Sequence, residues 1–169
     1  MKKLVVLGAG ESGVGAALLG QQQGYQVWVS DHGAVKAAYK KVLTHHEIAW
    51  EENGHTEVEI LKADVVVKSP GIPNTVPLVL ALRAQGIAVI DEVEFAAQFT
   101  NATLIGITGS NGKTTTTLMV QQLLASAQYA YKMGGNIGVS FAKLVYESHL
   151  PGAAVVDYYV LELSSFQLD

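Results

Sequence analysis

The sequence predicts an α/β fold built on parallel sheets, and three observations support this prediction. Short apolar runs, rich in β-branched residues, recur along the chain, as expected for strands buried on both faces. Segments with helix signals separate these runs, and two glycine-rich turns each follow a run directly. Such alternation is typical of strand–helix–strand units with right-handed crossovers. The expected strands are residues 4–7, 27–29, 65–67, 87–90, 104–107 and the run that ends at Leu161.

The first glycine-rich turn, residues 8–13 (GAGESG), follows the first expected strand and opens a helix. It has the G-x-G-x-x-G pattern in the strand–turn–helix context of a diphosphate site. Gly8 permits the turn, Gly10 admits the diphosphate to the backbone and Gly13 lets the helix pack on the strand. Asp31 follows about 20 residues later, where a carboxylate can accept a ribose hydroxyl or a base N–H. The pattern fits a dinucleotide such as NAD or a nucleotide sugar; a turn that only packs the helix is the alternative.

Helix signals also mark two later segments. Thr56 and Glu59 have the spacing of a capping box ahead of an apolar pair. Residues 76–85 carry Pro77 in their first turn and end before a glycine, which predicts a helix between two strands.

A domain boundary is predicted within residues 91–100. An acidic stretch and a short helical segment follow one strand there, and a new strand with its own glycine-rich motif then begins. We expect a first domain over residues 1–93 and the first part of a second domain over residues 94–169.

The second glycine-rich motif, residues 106–115 (GITGSNGKTT), has a strand before it and a helix pattern after it. A strict P-loop would carry glycine in place of Ile107, but the strand–loop–helix context is intact. Lys113 can reach the β- and γ-phosphates, and the Thr114 hydroxyl can bind Mg²⁺. A chance turn is the alternative. The candidate ATP-binding residues are Gly109, Ser110, Asn111, Gly112, Lys113, Thr114 and Thr115.

Glu162 ends the last apolar run and would bring a carboxylate to the carboxyl edge of the second sheet, where ligands collect. Because Mg²⁺ takes oxygen ligands, Thr114 and Glu162 would suit it, although neighbouring backbone N–H groups could equally satisfy the carboxylate. Two phosphate sites in series indicate an enzyme that holds two phosphorylated molecules, one of them ATP. An NAD-dependent oxidoreductase with an incidental second loop, and a non-catalytic nucleotide-binding module, are the alternative functions.

Composition excludes several other classes. The 169 residues include 11 basic and 15 acidic side chains, and Arg83 is the one arginine, so no dense basic patch is available for nucleic acid. With 0 cysteines, disulfide frameworks, zinc fingers and cysteine nucleophiles are excluded. No apolar run approaches the roughly 18 residues of a membrane span, and the first run is too short for a signal peptide. We expect a cytoplasmic protein that binds neither nucleic acid nor membrane.

Four motifs resemble the Mur ligases, a family of amide-bond-forming enzymes of cell-wall precursor synthesis. Residues 106–115 resemble the ATP loop of that family, which also lacks the strict P-loop glycine. Residues 69–72 (SPGI), 134–138 (GGNIG) and 161–168 (LELSSFQL) resemble the branch that adds D-glutamate to UDP-N-acetylmuramoyl-L-alanine. The four motifs occur in the order found in the family, and the resemblance covers the whole chain.

The resemblance implies a Rossmann-like first domain that holds UDP-sugar instead of NAD, followed by the start of a P-loop ATPase-type domain. In the family, ATP phosphorylates a substrate carboxylate and the amine of D-glutamate displaces phosphate. Lys113 and Glu162 are the implied catalytic residues, Thr114 and Glu162 are the implied Mg²⁺ ligands, and ATP and Mg²⁺ are the implied cofactors. The implied substrate-binding residues are Gly10, Glu11, Ser12, Asp31, Ser69, Gly71, Asn136, Ser164 and Gln167.

The resemblance also implies functional parts beyond Asp169: a further Mg²⁺-ligand histidine, a carbamylated lysine and a C-terminal domain. We therefore expect the chain to be a fragment of an ATP-dependent carbon–nitrogen ligase, inactive alone and monomeric at full length. We also expect its second sheet to have an exposed edge and exposed apolar faces.

Overall fold

Two parallel β-sheets organise the chain, which the computed structural model describes over residues 1–136 and 138–164. The strands in chain order are β1 (Lys3–Leu7), β2 (Gln26–Ser30), β3 (Ala49–Glu51), β4 (Val65–Lys68), β5 (Ala88–Asp91), β6 (Thr103–Ile107), β7 (Tyr131–Gly135) and β8 (Tyr158–Glu162). The helices are α1 (Glu11–Gln22), α2 (Ala37–His45), α3 (Glu57–Ile60), α4 (Pro77–Ala84), α5 (Glu92–Ala97), α6 (Lys113–Ser126) and α7 (Phe141–Ser148). The predicted mixed α/β class with parallel sheets is confirmed.

The first sheet has the strand order β3-β2-β1-β4-β5, and every neighbouring pair is parallel. Leu7 at the end of β1 lies opposite Ser30 on one side and Lys68 on the other. The chain leaves β1 towards β2 and later returns to its other side at β4. This reversal of direction is the place where open α/β sheets bind their ligands.

The second sheet has the order β6-β8-β7 over the described residues, with β8 in the middle. Glu162, the last residue of β8, lies opposite Ile107 of β6 and Gly135 of β7. Tyr159, Val160 and Leu161 within β8 are buried, which explains why this strand reads as a continuous apolar run. The loops after β6 and β7 therefore meet the end of β8 at one edge.

Helix α1 links the packing of the two sheets. It contacts β1 and β2 of the first sheet, and it also contacts α7, which packs against β7 of the second sheet. Its residues 13–20 are all buried, and many are glycine or alanine. A Cβ on Gly15 would lie 2.3 Å from the Ser140 hydroxyl oxygen, so only glycine permits this approach to the start of α7. Glu92, the first residue of α5, also accepts a hydrogen bond from the backbone N–H of Ala142 in α7.

The expected strands and the helix over residues 76–85 are confirmed, whereas β3 and β7 were not predicted. The capping box at Thr56 does not form: the Thr56 hydroxyl donates to Glu51 Oε2 (2.6 Å), and its oxygen accepts no backbone N–H at the start of α3. The boundary between residues 93 and 94 falls within α5 and stays a prediction.

Exposed apolar side chains concentrate on α6, where Leu118, Met119 and Leu123 face solvent, and Leu104 on β6 is exposed as well. Strand β6 is an edge of the second sheet in the described part of the chain. These observations match the expected exposed edge and apolar faces. No helix among the described residues is long and apolar enough to cross a bilayer.

Candidate functional sites at two sheet edges

A cavity of about 510 Å³ opens at the carboxyl edge of the first sheet, where β1 and β4 lie side by side. Gly8 and Gly10 follow β1, Asp31 follows β2, and Ser69 and Gly71 follow β4. Four predicted substrate-binding residues, Gly10, Asp31, Ser69 and Gly71, therefore line the same cavity.

The glycine turn has the backbone geometry that a diphosphate site needs. Gly8 has φ +100° and donates its N–H to the Ser30 carbonyl (2.9 Å), and a Cβ on Gly13 would lie 1.8 Å from the Gly8 carbonyl oxygen. Gly10, the N-cap of α1, has open space within 4 Å of its Cβ position, and no side chain caps the helix. The first-turn N–H groups, those of Glu11 and Ser12 among them, are thus available to an anion.

The Asp31 carboxylate holds this turn. Its Oδ2 accepts from the Ala9 N–H (2.6 Å) and its Oδ1 accepts from the Gly33 N–H (2.8 Å). The sequence predicted a ligand-binding role for Asp31 and missed the structural one. Because a carboxylate offers about four lone pairs, Asp31 can still accept one hydrogen bond from a ligand.

The loop after β4 forms the opposite wall of the cavity. Lys68 Nζ donates to the carbonyl of Ile72 (2.6 Å) and to that of Ser69 (3.3 Å), which holds the loop in place. Burial lowers the pKa of Lys68, although the nearby Asp91 carboxylate opposes this shift. Lys68 was not predicted as a site residue, because a lysine at a strand end belongs to no recognisable motif. The apolar wall consists of Ile72, Pro73, Val76, Pro77 and Leu78.

The far end of the cavity is polar and includes His55, which the sequence did not predict as a site residue. His55 Nδ1 lies 2.6 Å from the Ser30 hydroxyl, and that hydroxyl donates to Glu51 Oε1 (2.6 Å). Burial alone would raise the pKa of Glu51, but hydrogen bonds from Ser30 and Thr56 outweigh it and lower the pKa. Burial and the neighbouring His32 lower the pKa of His55 against the pull of nearby carboxylates.

The second candidate site lies at the carboxyl edge of the second sheet. The Thr114 hydroxyl, in the first turn of α6, donates to Glu162 Oε2 over 3.1 Å, and Glu162 is only 4% exposed. Lys113 Nζ donates to the Gly109 carbonyl within the loop (2.6 Å). Gly109 and Gly112 have φ +146° and +77°, so the loop follows a path that other residues rarely adopt. Ser110, Asn111 and Thr115 are exposed on this loop and the helix start.

Asn136 lies at this second edge and does not line the first cavity, where Ser69 and Gly71 are found. Its N–H donates to the Glu162 carbonyl (2.7 Å), and a Cβ on Gly135 would lie 2.4 Å from the same oxygen. The predicted substrate-binding residues are thus divided between two edges in this structure. Ser164 follows β8 and is half-buried, and Gln167 lies outside the described residues.

Glu11 and Ser12 lie in the first turn of α1, beside the first cavity but not in its lining. Glu11 accepts from the Tyr39 hydroxyl (3.4 Å) and lies 3.8 Å from Lys143 Nζ of α7. The Glu11 side chain therefore faces Tyr39 and Lys143. A diphosphate at this turn would contact the backbone N–H groups instead.

Two family models match most of the chain. Residues 3–76 match the MurD N-terminal domain, and residues 107–169 match the Mur ligase middle domain. Proteins named UDP-N-acetylmuramoylalanine–D-glutamate ligase are similar throughout: that of Bacteroides thetaiotaomicron is 55% identical over 100% of this chain, and that of Christiangramia forsetii is 54% identical over 99%. The chain spans 37% and 36% of the lengths of these two relatives.

Solved Mur ligases share the fold. The UDP-N-acetylmuramate:L-alanyl-gamma-D-glutamyl-meso-diaminopimelate ligase from Neisseria meningitides superposes with a TM-score of 0.61 at 22% identity, over 96% of this chain and 52% of that one. The UDP-N-acetylmuramate-alanine ligase of Thermotoga maritima gives a TM-score of 0.57 at 19% identity, over 97% of this chain and 37% of that one. At these identities the match shows the fold alone.

Proposed function

The chain belongs to the Mur ligase family, and from its two sites we propose that it carries the UDP-sugar site and part of the ATP site of a ligase. The full enzyme would join D-glutamate to UDP-N-acetylmuramoyl-L-alanine at the expense of ATP, in peptidoglycan precursor synthesis. The observation that carries the proposal is the paired architecture: each sheet presents a strand, a glycine-rich turn and a helix start at its carboxyl edge. The relatives named for this reaction support the choice of substrates.

In the first cavity, the open N–H groups at the start of α1 would bind the diphosphate of the UDP-sugar. Gly10 leaves the space for its approach, and Asp31 keeps the turn in shape through its bonds to Ala9 and Gly33. Ser69 and Gly71 would contact the substrate from the opposite wall, on the loop that Lys68 holds.

The residues of the second edge fit Mg²⁺ and ATP. The Thr114 hydroxyl and the Glu162 carboxylate are 3.1 Å apart, and both are hard oxygen donors of the kind that Mg²⁺ prefers. When bound, ATP would supply the phosphoryl group and Mg²⁺ would neutralise part of its charge. The Lys113 ammonium would exchange the Gly109 carbonyl for phosphate oxygens, and the loop N–H groups would hold those oxygens in place.

A thermal-shift experiment tests the first site. A ligand at 100 times its Kd adds about 2.7 kcal/mol to the stability of the state that binds it. We expect UDP and UDP-N-acetylmuramoyl-L-alanine to raise the Tm of the chain and NAD to leave it unchanged. A larger shift with NAD than with UDP would contradict the ligase proposal and favour an oxidoreductase.

A second experiment concerns catalysis. Phosphoryl transfer depends on a complete set of positioned charges, and the chain spans about a third of its relatives' length. We propose that the 169-residue chain binds UDP but does not release phosphate when ATP, Mg²⁺, UDP-N-acetylmuramoyl-L-alanine and D-glutamate are supplied together. D-glutamate-dependent release that Lys113→Ala abolishes would contradict this. A cytoplasmic location and a monomeric full-length enzyme stay predictions.

A further inference from the structure

Three helices, α1, α5 and α7, fill the boundary between the two sheets. Helix α5 follows β5 of the first sheet directly and packs against α1, whereas α7 packs against β7 of the second sheet. Helix α7 also contacts both α1 and α5. Phe141 of α7 is fully buried in one core cluster with Leu19 of α1 and Phe95 of α5. Apolar packing of these helices therefore holds the two sheets together.

A carboxyl group lies inside this apolar boundary. Glu92, the first residue of α5, is only 2% exposed, and it accepts a hydrogen bond from the backbone N–H of Ala142 in the first turn of α7. The ion pairs found within residues 1–136 and 138–164 do not include Glu92. A buried carboxyl group with a backbone partner and no cation is costly when it is ionised, and much less so when it is neutral.

Both lysines on the elements that pack most extensively against α5 have partners other than Glu92. Lys143 Nζ lies 3.8 Å from Glu11, and Lys68 Nζ donates to two backbone carbonyls. Burial raises the pKa of Glu92 to about 7; the hydrogen bond from Ala142 opposes this shift, and the charges of Asp91 and Glu11 add to it. The ionisable groups on α5 and on these elements are Glu94 of α5, Glu11 of α1, Lys68 of β4, Asp91 of β5, and Lys143, Tyr146 and Glu147 of α7.

A second polar group at the boundary is incompletely satisfied while the helices are packed. Gln22, the last residue of α1, donates from Nε2 to the Tyr146 carbonyl of α7 (3.3 Å), whereas its Oε1 is buried without a hydrogen bond from any described residue. Burying an acceptor without a partner costs free energy that contact with water would recover. Glu92 contacts the first turn of α7 and Gln22 contacts its last turn, so polar groups oppose the apolar packing at both ends of this helix.

We propose that Glu92 makes the α5–α7 contact pH-sensitive: the protonated carboxyl keeps α7 packed on α1 and α5, and loss of the proton lets the two sheets separate while each stays folded. The neutral group still accepts the Ala142 N–H, whereas the ionised group gains water only if α5 and α7 part. Helix α1 begins at the first candidate site, and the loop before α7 carries Asn136 of the second. The contact therefore sets the relative position of the two sites, whichever ligands they bind.

Proton linkage gives the direction and size of the effect. In the packed arrangement the pKa of Glu92 is about 7, and in water it returns to its ordinary value of 4.5. Packing is therefore favoured in full below about pH 4.5, and this advantage is lost as pH rises through about 7. The ratio of separated to packed chains should be roughly 70-fold higher at pH 8 than at pH 5 and should level off above that range.

Distance measurement between two spin labels tests the proposal in the whole chain. Because the sequence contains 0 cysteines, Lys41→Cys on α2 and Gln122→Cys on α6 introduce two labelling sites and no others. Both positions are exposed; α2 packs beside the first sheet and α6 beside the second. We expect one narrow distance distribution at pH 5 and a second component at pH 8, at least tenfold more populated than at pH 5. Circular dichroism should show unchanged secondary structure at both pH values.

Two substitutions in the labelled chain assign the effect to Glu92. Glu92→Gln keeps an oxygen that accepts the Ala142 N–H and cannot ionise, so its distance distribution should be narrow at both pH values. Glu94→Gln is the matched control, because Glu94 is exposed on the same helix, and it should keep the response to pH. Carbon NMR of the Glu92 carboxyl group in the unsubstituted chain gives a readout that needs no variant, and it should titrate near pH 7 together with the Ala142 amide signal.

Four results would overturn the inference. The first is the same distance distribution at pH 5 and pH 8 in the labelled chain, and the second is a pH response that Glu92→Gln retains. The third is a loss of secondary structure together with the second component, which would show global unfolding instead of separation. The fourth is a Glu92 carboxyl signal that titrates near pH 4.5. A failure of the chain to bind UDP would remove the proposed function and leave this inference standing.

Discussion

Two glycines of the same turn should lose different amounts of stability when replaced by alanine. Gly10 has φ −81° and ψ −168°, which alanine adopts freely, and nothing lies within 4 Å of its Cβ position. Gly10→Ala should therefore cost only about 1 kcal/mol, as a poorer N-cap residue, and lower the Tm by a few degrees. Gly13→Ala places a methyl group 1.8 Å from the Gly8 carbonyl oxygen, a backbone atom, and should destabilise the fold by about 1–3 kcal/mol or more.

Ligand binding should separate the two variants further. The Gly10 methyl group would occupy the space through which the diphosphate reaches the N–H groups of α1. A hydrogen bond to a charged acceptor contributes about 1.5–3 kcal/mol, so losing one weakens UDP binding about 10- to 150-fold. The assay is calorimetric titration with UDP, paired with thermal unfolding of each variant. Unchanged UDP affinity in Gly10→Ala would refute a diphosphate site at this turn, and a fully stable Gly13→Ala would refute the close contact with Gly8.

Three further predictions use groups outside the motifs. In Lys68→Met, the loop loses the hydrogen bond from the Lys68 ammonium to the Ile72 carbonyl. UDP binding, measured by calorimetry, should weaken about tenfold with little loss of Tm, and an unaltered affinity would contradict this prediction. Burial raises the pKa of Glu92 to about 7, so the folded state binds its proton more tightly than the unfolded state does. The contribution of Glu92 to stability is therefore complete below about pH 4.5 and is lost as pH rises through about 7. In urea unfolding, the unsubstituted chain should lose up to about 3 kcal/mol of stability between pH 5 and 8, and Glu92→Gln should lose less. Equal losses in the two proteins would contradict the raised pKa of Glu92. Leu123→Lys, on the exposed apolar face of α6, should reduce concentration-dependent self-association in sedimentation, and no change would exclude that face as the cause.

The elements that position both sites could be predicted because buried parallel strands have a strong sequence signal. The runs at β1, β4 and β8 are apolar on both faces, and each is followed by residues that must lie at the carboxyl edge. That rule was enough to predict that Thr114 and Glu162, which are 48 positions apart in sequence, lie at the same edge of the second sheet. Their role as Mg²⁺ ligands stays a prediction.

The features that the sequence did not predict depend on strand order and on competition between polar groups for hydrogen-bond partners. Local sequence patterns contain neither kind of information. Strand β3 has three residues, Ala49–Glu51, and β7 includes two glycines, so neither has a clear apolar run. Because β3 pairs with β2, Glu51 reaches Ser30 and Thr56, which removes the predicted capping box and brings His55 to the cavity. No local pattern marks His55 as a site residue for this reason.

The structural role of Asp31 could not be seen from sequence for a related reason. Its contact with the Ala9 N–H depends on the glycine turn curling over the end of β2, which a spacing rule does not specify. Asp31→Ala would therefore disturb the turn as well as any ligand contact, so a loss of UDP affinity in that variant does not by itself show direct binding.

A crystal structure of this chain with UDP-N-acetylmuramoyl-L-alanine would test the central claim most directly. The account predicts the diphosphate at the first turn of α1, over Gly10, with the rest of the nucleotide in the cavity at the carboxyl edge of the first sheet. Soaking with NAD under the same conditions should leave the cavity without bound nucleotide. A UDP-sugar found away from the Gly8–Gly10 turn, or NAD bound across it with its diphosphate at α1, would contradict the account.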